Sequence, residues 1–495
     1  MEAAIPRNTS VEGKLKVSSN LIRLERDECL LLANSLRLNP VVVRRGRQFI
    51  ETLLANLKEQ PASLDELKQR WPAETSVFDF LLAHGILVPV SERETATEIV
   101  RHTDAGKNKT QGMSLYLLLA QDCNLGCVYC LNGKRTYRKN DRPMMTTEVA
   151  FRAVECCAAL IAPGGYLEVA MFGGEPLLNW KLAKQTIDYT EDVLKGKYPE
   201  VEFRYHITSN LSFLPEDFIA KALKHKMSVL CDIDGEGDVH DRCRPFSGGG
   251  ATHSVIAANV RKLVAEGIPV SLRTTLTALN QDHLEQTARH HRDLGGWGTA
   301  FAPLNVVNSD EDFMSDRLIP DVDKMLDSLV CVKESGVWTM DRLFPFNIYR
   351  AKLQPNNRSI LGCGAPYGNT PVVDVQGNVF PCIYLVGIAR YCVGNIMEGT
   401  YPDNPVLEKM AADLHVDRRE GCKDCSWRYL CGGGCPVQHL AMADQQHVSP
   451  KARAYCERIN CDYTKRVLEV LLWDLATQTA QAIDNETNTV KEETV

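Results

Sequence analysis

Residues 121–130, QDCNLGCVYC, decide the fold because they place Cys123, Cys127 and Cys130 in a single short loop. The loop follows the apolar run LYLLLA at 115–120, which predicts a buried strand. A C-x3-C-x2-C triplet supplies three thiolates, one fewer than a closed zinc site or a closed iron–sulfur cube needs. A [4Fe–4S] cluster held here would keep one iron free to bind a small molecule, whereas a three-cysteine zinc site is the alternative.

The triplet, with Tyr129 directly before its last cysteine, resembles the signature of the radical S-adenosylmethionine (SAM) superfamily. The resemblance implies that the amino and carboxylate groups of SAM chelate the open iron. It also implies that an electron breaks a carbon–sulfur bond of SAM and gives a 5′-deoxyadenosyl radical. SAM and a [4Fe–4S] cluster are then cofactors, and a reducing protein such as flavodoxin or ferredoxin is a partner.

Length and composition are those of a multidomain globular protein. The 495 residues predict two to four domains, and 44% hydrophobic with 24% charged residues is ordinary for such a chain. No apolar run approaches the roughly 18 residues of a membrane span, and MEAAIPRNTS lacks a signal-peptide core. A net charge of −7 argues against nucleic acid as a partner. Eighteen cysteines without an export signal are better explained as metal ligands, so we expect a cytoplasmic protein with no membrane partner.

The N-terminal region predicts a flexible tail at 1–18 and a small α+β, winged-helix-like domain at 19–92. The predicted elements are strands at 20–25, 29–34 and 38–43 and helices near 46–60, 63–71 and 74–84. This order resembles the peptide-recognition elements of enzymes that modify ribosomally made peptides. The resemblance implies that a precursor's leader adds a strand to the sheet edge. A purely structural unit, or a DNA site at Arg44, Arg45 and Arg47, are the alternatives.

A polar linker is predicted at 93–112, and strands and helices alternate from 113 to 335. The predicted strands are 115–120, 166–172, 203–208, 227–233, 270–275 and 300–306. The predicted helices lie near 146–160, 180–194, 215–224, 254–265, 281–293 and 321–334. Six βα units indicate an α/β fold, a partial (β/α)6 TIM barrel of the radical SAM type. Ligands of such sheets bind at the carboxyl ends of the strands.

The residues that follow these strands predict a SAM pocket. Gly173-Gly174-Glu175-Pro176 follows the second strand and matches the GGEP motif of radical SAM enzymes, which implies contact with the methionyl amino group. The polar residues Thr208, Ser209 and Asn210 suit ribose hydroxyls, Asp232 stands where relatives commonly have Ser, and Arg273 is a candidate partner of the SAM carboxylate. With Tyr129 these residues form the predicted cofactor-binding set. Ordinary strand-end hydrogen bonding is the alternative for Asn210 and Arg273.

A charged loop at 238–250 carries candidate catalytic residues. It resembles the VHD-R-x-RP segment of peptide-modifying relatives, so His240, Asp241 and Arg244 are candidates for positioning substrate or moving a proton. The alternative is that these charges simply hold the loop together. Tyr384 is a fourth candidate, because it follows Cys382 by two residues.

The C-terminal cysteines resemble the SPASM extension of radical SAM enzymes. The expected extension spans 362–461, after a bridging region at 336–361 and before a helix and tail at 462–495. Its pattern is Cys363, Cys382, Cys422-x2-Cys425-x5-Cys431-x3-Cys435 and Cys456. The resemblance implies two auxiliary [4Fe–4S] clusters, the nearer one on Cys363, Cys382 and Cys435 and the distal one on Cys422, Cys425, Cys431 and Cys456. Zinc is the alternative metal. The nearer cluster has an open iron or takes another ligand, such as Cys392.

These features predict a maturase that modifies a ribosomally made precursor peptide. The radical would abstract a hydrogen from the peptide, the auxiliary clusters would accept an electron, and a carbon–carbon, ether or thioether crosslink would form. A formylglycine-generating sulfatase maturase is the first alternative. Such relatives usually place Asp after the cysteine equivalent to Cys382, where this chain has Ile383. A non-catalytic iron–sulfur electron carrier or scaffold is the second alternative.

Overall fold

A computed structural model describes residues 13–95, 109–130, 143–306, 316–354, 357–402, 405–443 and 449–492. Residues 1–12 of the predicted tail, 96–108 of the predicted linker and 493–495 at the end lie outside the described residues.

The N-terminal domain contains two three-stranded sheets and three helices. Its elements are β1 Lys14–Val17, β2 Leu21–Arg26, β3 Cys29–Asn34, β4 Val41–Val43, α1 Arg47–Glu59, β5 Ala62–Ser63, α2 Leu64–Arg70, α3 Thr75–Ala83 and β6 Leu87–Pro89. The sheet orders are β5-β1-β6 and β2-β3-β4. The three predicted strands and three predicted helices are all present. A Ser63–Glu66 capping box begins α2.

The predicted tail at 1–18 is wrong where it overlaps β1. Residues 14–17 alternate charged and apolar side chains, and the side chain of Leu15 is completely buried. Leu15 and Val17 pair with β6, a strand that the sequence interpretation also missed. Four residues are too short a run to outweigh the polar residues around them, so only tertiary pairing defines this strand.

Strand β3 joins the N-terminal domain to the rest of the molecule. Successive side chains on a strand point to opposite faces. Leu30 and Leu32 accordingly pack on the domain's own helices. Leu31 and Ala33 belong to a different apolar cluster, which contains Val467 and other residues of the C-terminal helix. The domain is therefore docked on the rest of the chain through a strand buried on both faces.

The central domain is an open barrel built on one nine-stranded sheet. Its strands are β7 Thr110–Ala120, β8 Ile161–Gly173, β9 Glu202–Thr208, β10 Ser228–Asp232, β11 Val270–Leu276, β12 Gly298–Pro303, β13 Leu343–Phe344, β14 Val372–Val373 and β15 Val379–Phe380. Its helices are α4 Thr147–Ala158, α5 Trp180–Tyr189, α6 Lys195–Lys197, α7 Phe218–Lys224, α8 Asp238–Cys243, α9 His253–Ala265, α10 Leu284–Asp293, α11 Val322–Glu334 and α12 Phe346–Lys352. A π-turn at Thr190–Leu194 connects α5 with α6.

The sheet order is β13-β12-β11-β10-β9-β8-β7-β14-β15, and only the β14–β15 pair is antiparallel. The six predicted βα units are confirmed. Strands β13 to β15 have two residues each, too few to show a periodic pattern. Because β14 pairs with β7, the cysteine-rich region adds directly to the edge of the barrel sheet.

The C-terminal region is a set of short helices followed by one long helix. The helices are α13 Pro405–Leu414, α14 Arg428–Cys431, α15 Pro436–Ala443, α16 Pro450–Arg458 and α17 Thr464–Glu492. A π-turn at Ile459–Tyr463 separates α16 from α17. Among the described residues, no helix is both long and apolar enough to cross a membrane.

Candidate active site

A deep cavity lies at the carboxyl ends of the barrel strands, with an empty volume of about 1020 Å³ that includes space open to solvent. The residues lining it are Cys123, Leu125, Cys127, Tyr129, Cys130, Phe172, Gly173, Gly174, Thr208, Ser209, Asn210, Asp232, Arg244, Arg273, Thr275, Ala302, Pro303, Leu304, Asn305, Ile383 and Tyr384. The predicted cysteine triplet and most of the predicted SAM-binding residues therefore meet in one chamber. Its size is that of a ligand pocket.

The cysteine triplet fits a cluster with an open position. The backbone N–H of Leu125 donates to Cys123 Sγ at 3.4 Å, and Arg244 Nη1 lies 3.7 Å from Cys127 Sγ. Burial raises the pKa of Cys123 to about 12, so a bound cation is needed to keep this thiol ionised. The triplet contributes the only cysteines among the described residues that line the cavity.

Two carboxylates and two guanidinium groups form a buried network on the cavity wall. Arg273 Nε donates to Asp232 at 2.5 Å, and Arg244 Nη2 lies 3.2 Å from the same carboxylate. Arg244 Nε also donates to Asp234 at 2.9 Å, and the Tyr129 hydroxyl donates to Asp234. Burial acts to raise the pKa of Asp232, but Arg244 and Arg273 hold it at about 2. Asp232 is therefore a fixed anion between two cations.

Asp234 is a site residue that the sequence interpretation missed. Its side chain is fully buried and ties the Tyr129 hydroxyl, Arg244 and the backbone N–H of Thr275 together. Its signal in the sequence is the second acid of Asp-Ile-Asp at the end of β10, which is the end at which sites form.

The GGEP segment, residues 173–176, lies partly on the cavity wall and partly behind it. Gly173 has φ +136°, and a Cβ there would collide with the carbonyl oxygen of Ala120 on β7, so only glycine fits. Glu175 does not line the cavity and is fully buried. Its carboxylate accepts hydrogen bonds from Leu177 N at 2.9 Å, Asn210 N at 2.7 Å and Ser209 Oγ at 2.8 Å.

The expected contact between Glu175 and the amine of SAM stays a prediction, and the carboxylate that would make it is hydrogen-bonded within the protein. Burial raises the pKa of Glu175 to about 7, although its hydrogen bonds favour the charged form. Glu175 joins the loop after β8 to the loop after β9, which carries Ser209 and Asn210. Pro176 begins a short 3₁₀ turn and also lies outside the cavity lining.

His240 and Asp241, two of the candidate catalytic residues, are not among the described residues that line the cavity. His240 is fully buried, and its Nδ1 accepts from Asp234 N at 3.2 Å. Burial lowers the pKa of His240 to about 2, so the ring stays neutral. Asp241 accepts from the N–H groups of Thr252 at 2.7 Å and His253 at 2.8 Å, where α9 begins. The structure therefore favours the alternative that these side chains hold the loop, and only Arg244 of this loop lines the cavity.

Tyr384 closes the cavity from the C-terminal region. It lies in the turn Ile383–Leu385, and its side chain is hydrogen-bonded to Asn305. Burial raises the pKa of Tyr384, so its hydroxyl is a proton donor rather than a base. Asn305 was missed because residues 300–306 were interpreted as strand, whereas β12 ends at Pro303 and leaves Asn305 in the rim.

The cysteines predicted for the nearer auxiliary cluster lie together. Burial, and then the thiolate charges of Cys363 and Cys435, raise the pKa of Cys382. The N–H groups of Ile383 and Tyr384 donate to Cys382, and those of Val437 and Gln438 donate to Cys435. Thiolates that accept several backbone hydrogen bonds suit an iron–sulfur cluster.

The cysteines predicted for the distal cluster stay a prediction. Burial, and then the charges of Cys461 and Cys422, raise the pKa of Cys431, and burial, and then the charges of Cys422 and Cys425, raise the pKa of Cys461. For Cys456, burial and then the charge of Cys435 raise the pKa.

Cys392, which was considered for the nearer cluster, donates its thiol to the carbonyl oxygen of Gly394 at 3.3 Å. In the described parts of the chain, no three His, Cys, Asp or Glu side chains are placed to hold a single metal ion. A tetrahedral zinc site would require such a convergence.

Comparison with known proteins identifies the class. Residues 117–291 match the model of the radical SAM superfamily. The barrel thus contains a radical SAM domain, and the similar peptide-modifying enzymes support an enzyme.

Several characterised proteins are similar to this chain. The cysteine-type anaerobic sulfatase-maturating enzyme of Clostridium novyi is 21% identical over 328 residues, which is 64% of this chain and 85% of that enzyme. Native anSMEcpe, solved with bound AdoMet and a Cp18Cys peptide, has a TM-score of 0.59 at 18% identity and covers 74% of this chain and 99% of its own. SuiB of Streptococcus suis, solved with its precursor peptide SuiA, has a TM-score of 0.51 at 14% identity and covers 90% of this chain and 100% of its own. At these identities the solved structures establish the fold.

SuiB leaves one tenth of this chain uncovered. Because the N-terminal domain, residues 13–95, is longer than one tenth of the chain, the match to SuiB includes part of that domain.

Proposed function

We propose that this enzyme is a maturase that modifies a ribosomally synthesised precursor peptide, forming a carbon–carbon, ether or thioether crosslink. The observation that carries the proposal is the shared chamber: the SAM-binding triplet and Tyr384, two residues after Cys382, line the same cavity. A peptide carbon held there lies between the proposed SAM site and the proposed nearer cluster. The sulfatase-maturating and SuiB structures with bound peptides support this class of substrate.

Each part of the chamber has a proposed task. The bound SAM and its cluster supply a 5′-deoxyadenosyl radical. Thr208, Ser209 and Asn210 bind ribose hydroxyls, and Arg273 binds the SAM carboxylate while Asp232 holds its guanidinium group. Arg244 places a positive charge 3.7 Å from Cys127 Sγ. The Tyr384 hydroxyl donates a hydrogen bond to the peptide, because its raised pKa keeps it protonated.

The proposed reaction removes two hydrogens from the peptide. The radical that SAM would supply would take one of them as a hydrogen atom. The other would leave as a proton from the attacking group when the new bond forms, and auxiliary clusters held by the two further groups of cysteines would accept the remaining electron. A reducing protein such as flavodoxin or ferredoxin supplies the electron that cleaves SAM. The proposal includes three [4Fe–4S] clusters, one that binds SAM and two auxiliary ones, and the two further groups of cysteines agree with this number. A cytoplasmic location agrees with the need for a reductant.

The proposed leader site is the free edge of β4. Strands β2 and β4 each pair only with β3 among the described residues. Charged side chains on an edge discourage strand addition. Arg23 and Glu25 of β2 form ion pairs with α1. The side chains of Val41–Val43 in β4 are half-buried and apolar, so we expect the leader to add to this strand.

A sulfatase maturase is the second candidate, favoured by the higher TM-score to anSMEcpe. A sulfatase maturase would oxidise one residue to an aldehyde, whereas a crosslinking enzyme would form a ring and no aldehyde. Ile383 stands where such relatives usually place an Asp that acts as a base, which favours crosslinking.

The test is incubation of the reduced enzyme with SAM and the product of a short open reading frame beside its gene, chosen for a leader and a Cys- or aromatic-rich core. We expect 5′-deoxyadenosine, a peptide that has lost two hydrogens, and a new bond in tandem mass spectra. The Cys127→Ala variant should give neither product. A modified peptide that reacts with a hydrazide would instead identify an aldehyde and support the sulfatase-type reaction. Intact SAM and an unchanged peptide would refute both.

A further inference from the structure

Two cysteines near the end of the chain, Cys456 and Cys461, are candidates for the fourth ligand of the proposed distal cluster. Cys456 lies on α16, and Cys461 lies in the π-turn Ile459–Tyr463. The side chain of Cys456 is 2% exposed and packs in an apolar cluster with Tyr455 and Ile459. Cys461 is exposed. The two thiols therefore face different surroundings although only four residues separate them.

The backbone just before Cys461 is pressed against the loop between Cys431 and Cys435. A Cβ at Gly434 would lie 2.6 Å from the carbonyl oxygen of Asn460 and would also collide with its side-chain amide. Gly434 has φ +74°, so both conformation and space require glycine. This close approach fixes the π-turn beside the glycine loop that follows Cys431.

The opposite side of the glycine loop is fixed to Cys422. Arg419 Nη2 lies 2.8 Å from Cys422 Sγ and also donates to the carbonyl oxygen of Gly433 at 2.5 Å. The Cys422 sulfur, the glycine loop and Asn460 therefore form one packed unit. Cys461 is the next residue of that unit.

We propose that Cys461, and not Cys456, is the fourth ligand of the distal cluster, completing the set Cys422, Cys425 and Cys431. The contact between Asn460 and Gly434 holds the π-turn against the glycine loop between Cys431 and Cys435, and Cys461 is the next residue of that turn. Cys456 instead packs in the apolar cluster with Tyr455 and Ile459. This inference rests on the auxiliary clusters of the proposed function, but it is independent of the peptide substrate.

Iron content of the full-length protein, reconstituted and purified without air, tests the assignment. The wild type should hold about twelve irons in three clusters. We expect Cys461→Ala to lose about four of them and Cys456→Ala to retain about twelve, with EPR spectra of the reduced proteins changing in parallel. Loss of the cluster from Cys456→Ala with retention in Cys461→Ala would overturn the proposal, as would equal behaviour of the two variants.

Alkylation of the wild type gives a second readout that does not depend on the folding of a variant. Cys331 and Cys461 are both exposed, and Cys331 is far in sequence from every proposed ligand. In native holoprotein N-ethylmaleimide should label Cys331 and spare Cys461, while both should be labelled after unfolding and chelation. Equal labelling of both thiols in protein that holds about twelve irons would refute the assignment of Cys461. If the wild-type protein held only about four irons, it would contain one cluster and no auxiliary clusters, and the inference would fail together with them.

Discussion

The buried charges around Asp232 and Asp234 show how single residues support this site. Each carboxylate is bound by Arg244, and Arg273 binds Asp232 from the other side. Leaving one such charge without its partner in a buried site costs several kcal/mol, so the network keeps its geometry when SAM enters or leaves. The Tyr129 hydroxyl links this network to the cysteine loop through Asp234.

His240 predicts a measurable pH dependence of stability. Burial lowers its pKa in the folded protein to about 2, whereas an unfolded histidine titrates near 6.5. The unfolded chain therefore binds the extra proton below about pH 6.5, and stability falls as the pH decreases through that value. In urea unfolding between pH 8 and pH 5.5, His240→Gln should reduce this slope by up to about 1.4 kcal/mol per pH unit.

The control for this experiment is His283→Gln, since His283 is exposed at the start of α10. It should keep the slope of the wild type. An unchanged slope in His240→Gln would contradict a buried neutral imidazole. Thiol protonation is common to all three proteins and cancels in the comparison.

At the scale of elements, the free edge of β4 predicts where the leader binds. A proline in β4 removes a backbone N–H and blocks addition of a strand. Val42→Pro should therefore weaken precursor binding at least tenfold in fluorescence anisotropy. Iron content and SAM cleavage without peptide should remain unchanged.

Glu25→Pro, on the opposite edge strand β2, is the matched control and should bind the precursor like the wild type. Tight binding by Val42→Pro would exclude the β4 edge. If Glu25→Pro alone lost binding, the leader would instead lie along β2.

The elements that the sequence predicted are those with long patterns, and those it missed are short. The six barrel strands followed from apolar runs separated by amphipathic helices. Strands β13 to β15 and β1 exist because neighbouring strands pair with them, and pairing between distant residues leaves no local signal. The same limit applies to Glu175 and His240. Their positions after strands were correct, but only the structure shows that their polar atoms are occupied by backbone groups.

At the scale of the whole molecule, Arg358 connects the N-terminal domain with the region between the barrel and the cysteine-rich extension. Its Nε donates to the carbonyl oxygen of Leu36 at 2.9 Å, and its Nη1 donates to Lys352 and Gln354 at 2.9 and 3.2 Å. Arg358→Met should leave these carbonyl groups unpaired and lower the free energy of unfolding by about 1–3 kcal/mol, as measured in urea. The exposed Arg350→Met serves as the control and should change little. Equal stability of the Arg358 variant and the wild type would show that water replaces the guanidinium group.

The start of the predicted linker has a consequence for engineering. Glu94 is 7% exposed and its carboxylate binds Ser19 N at 3.2 Å, while its carbonyl oxygen accepts from Arg428 and Tyr429 at 3.3 and 3.4 Å. An N-terminal domain that ends at residue 92 would lose these contacts, so a domain transferred to another enzyme must extend through Thr95. The receiving enzyme must also offer an arginine–tyrosine pair at the matching place. The N-terminal domain of this protein can therefore be transferred only together with the residues that contact it.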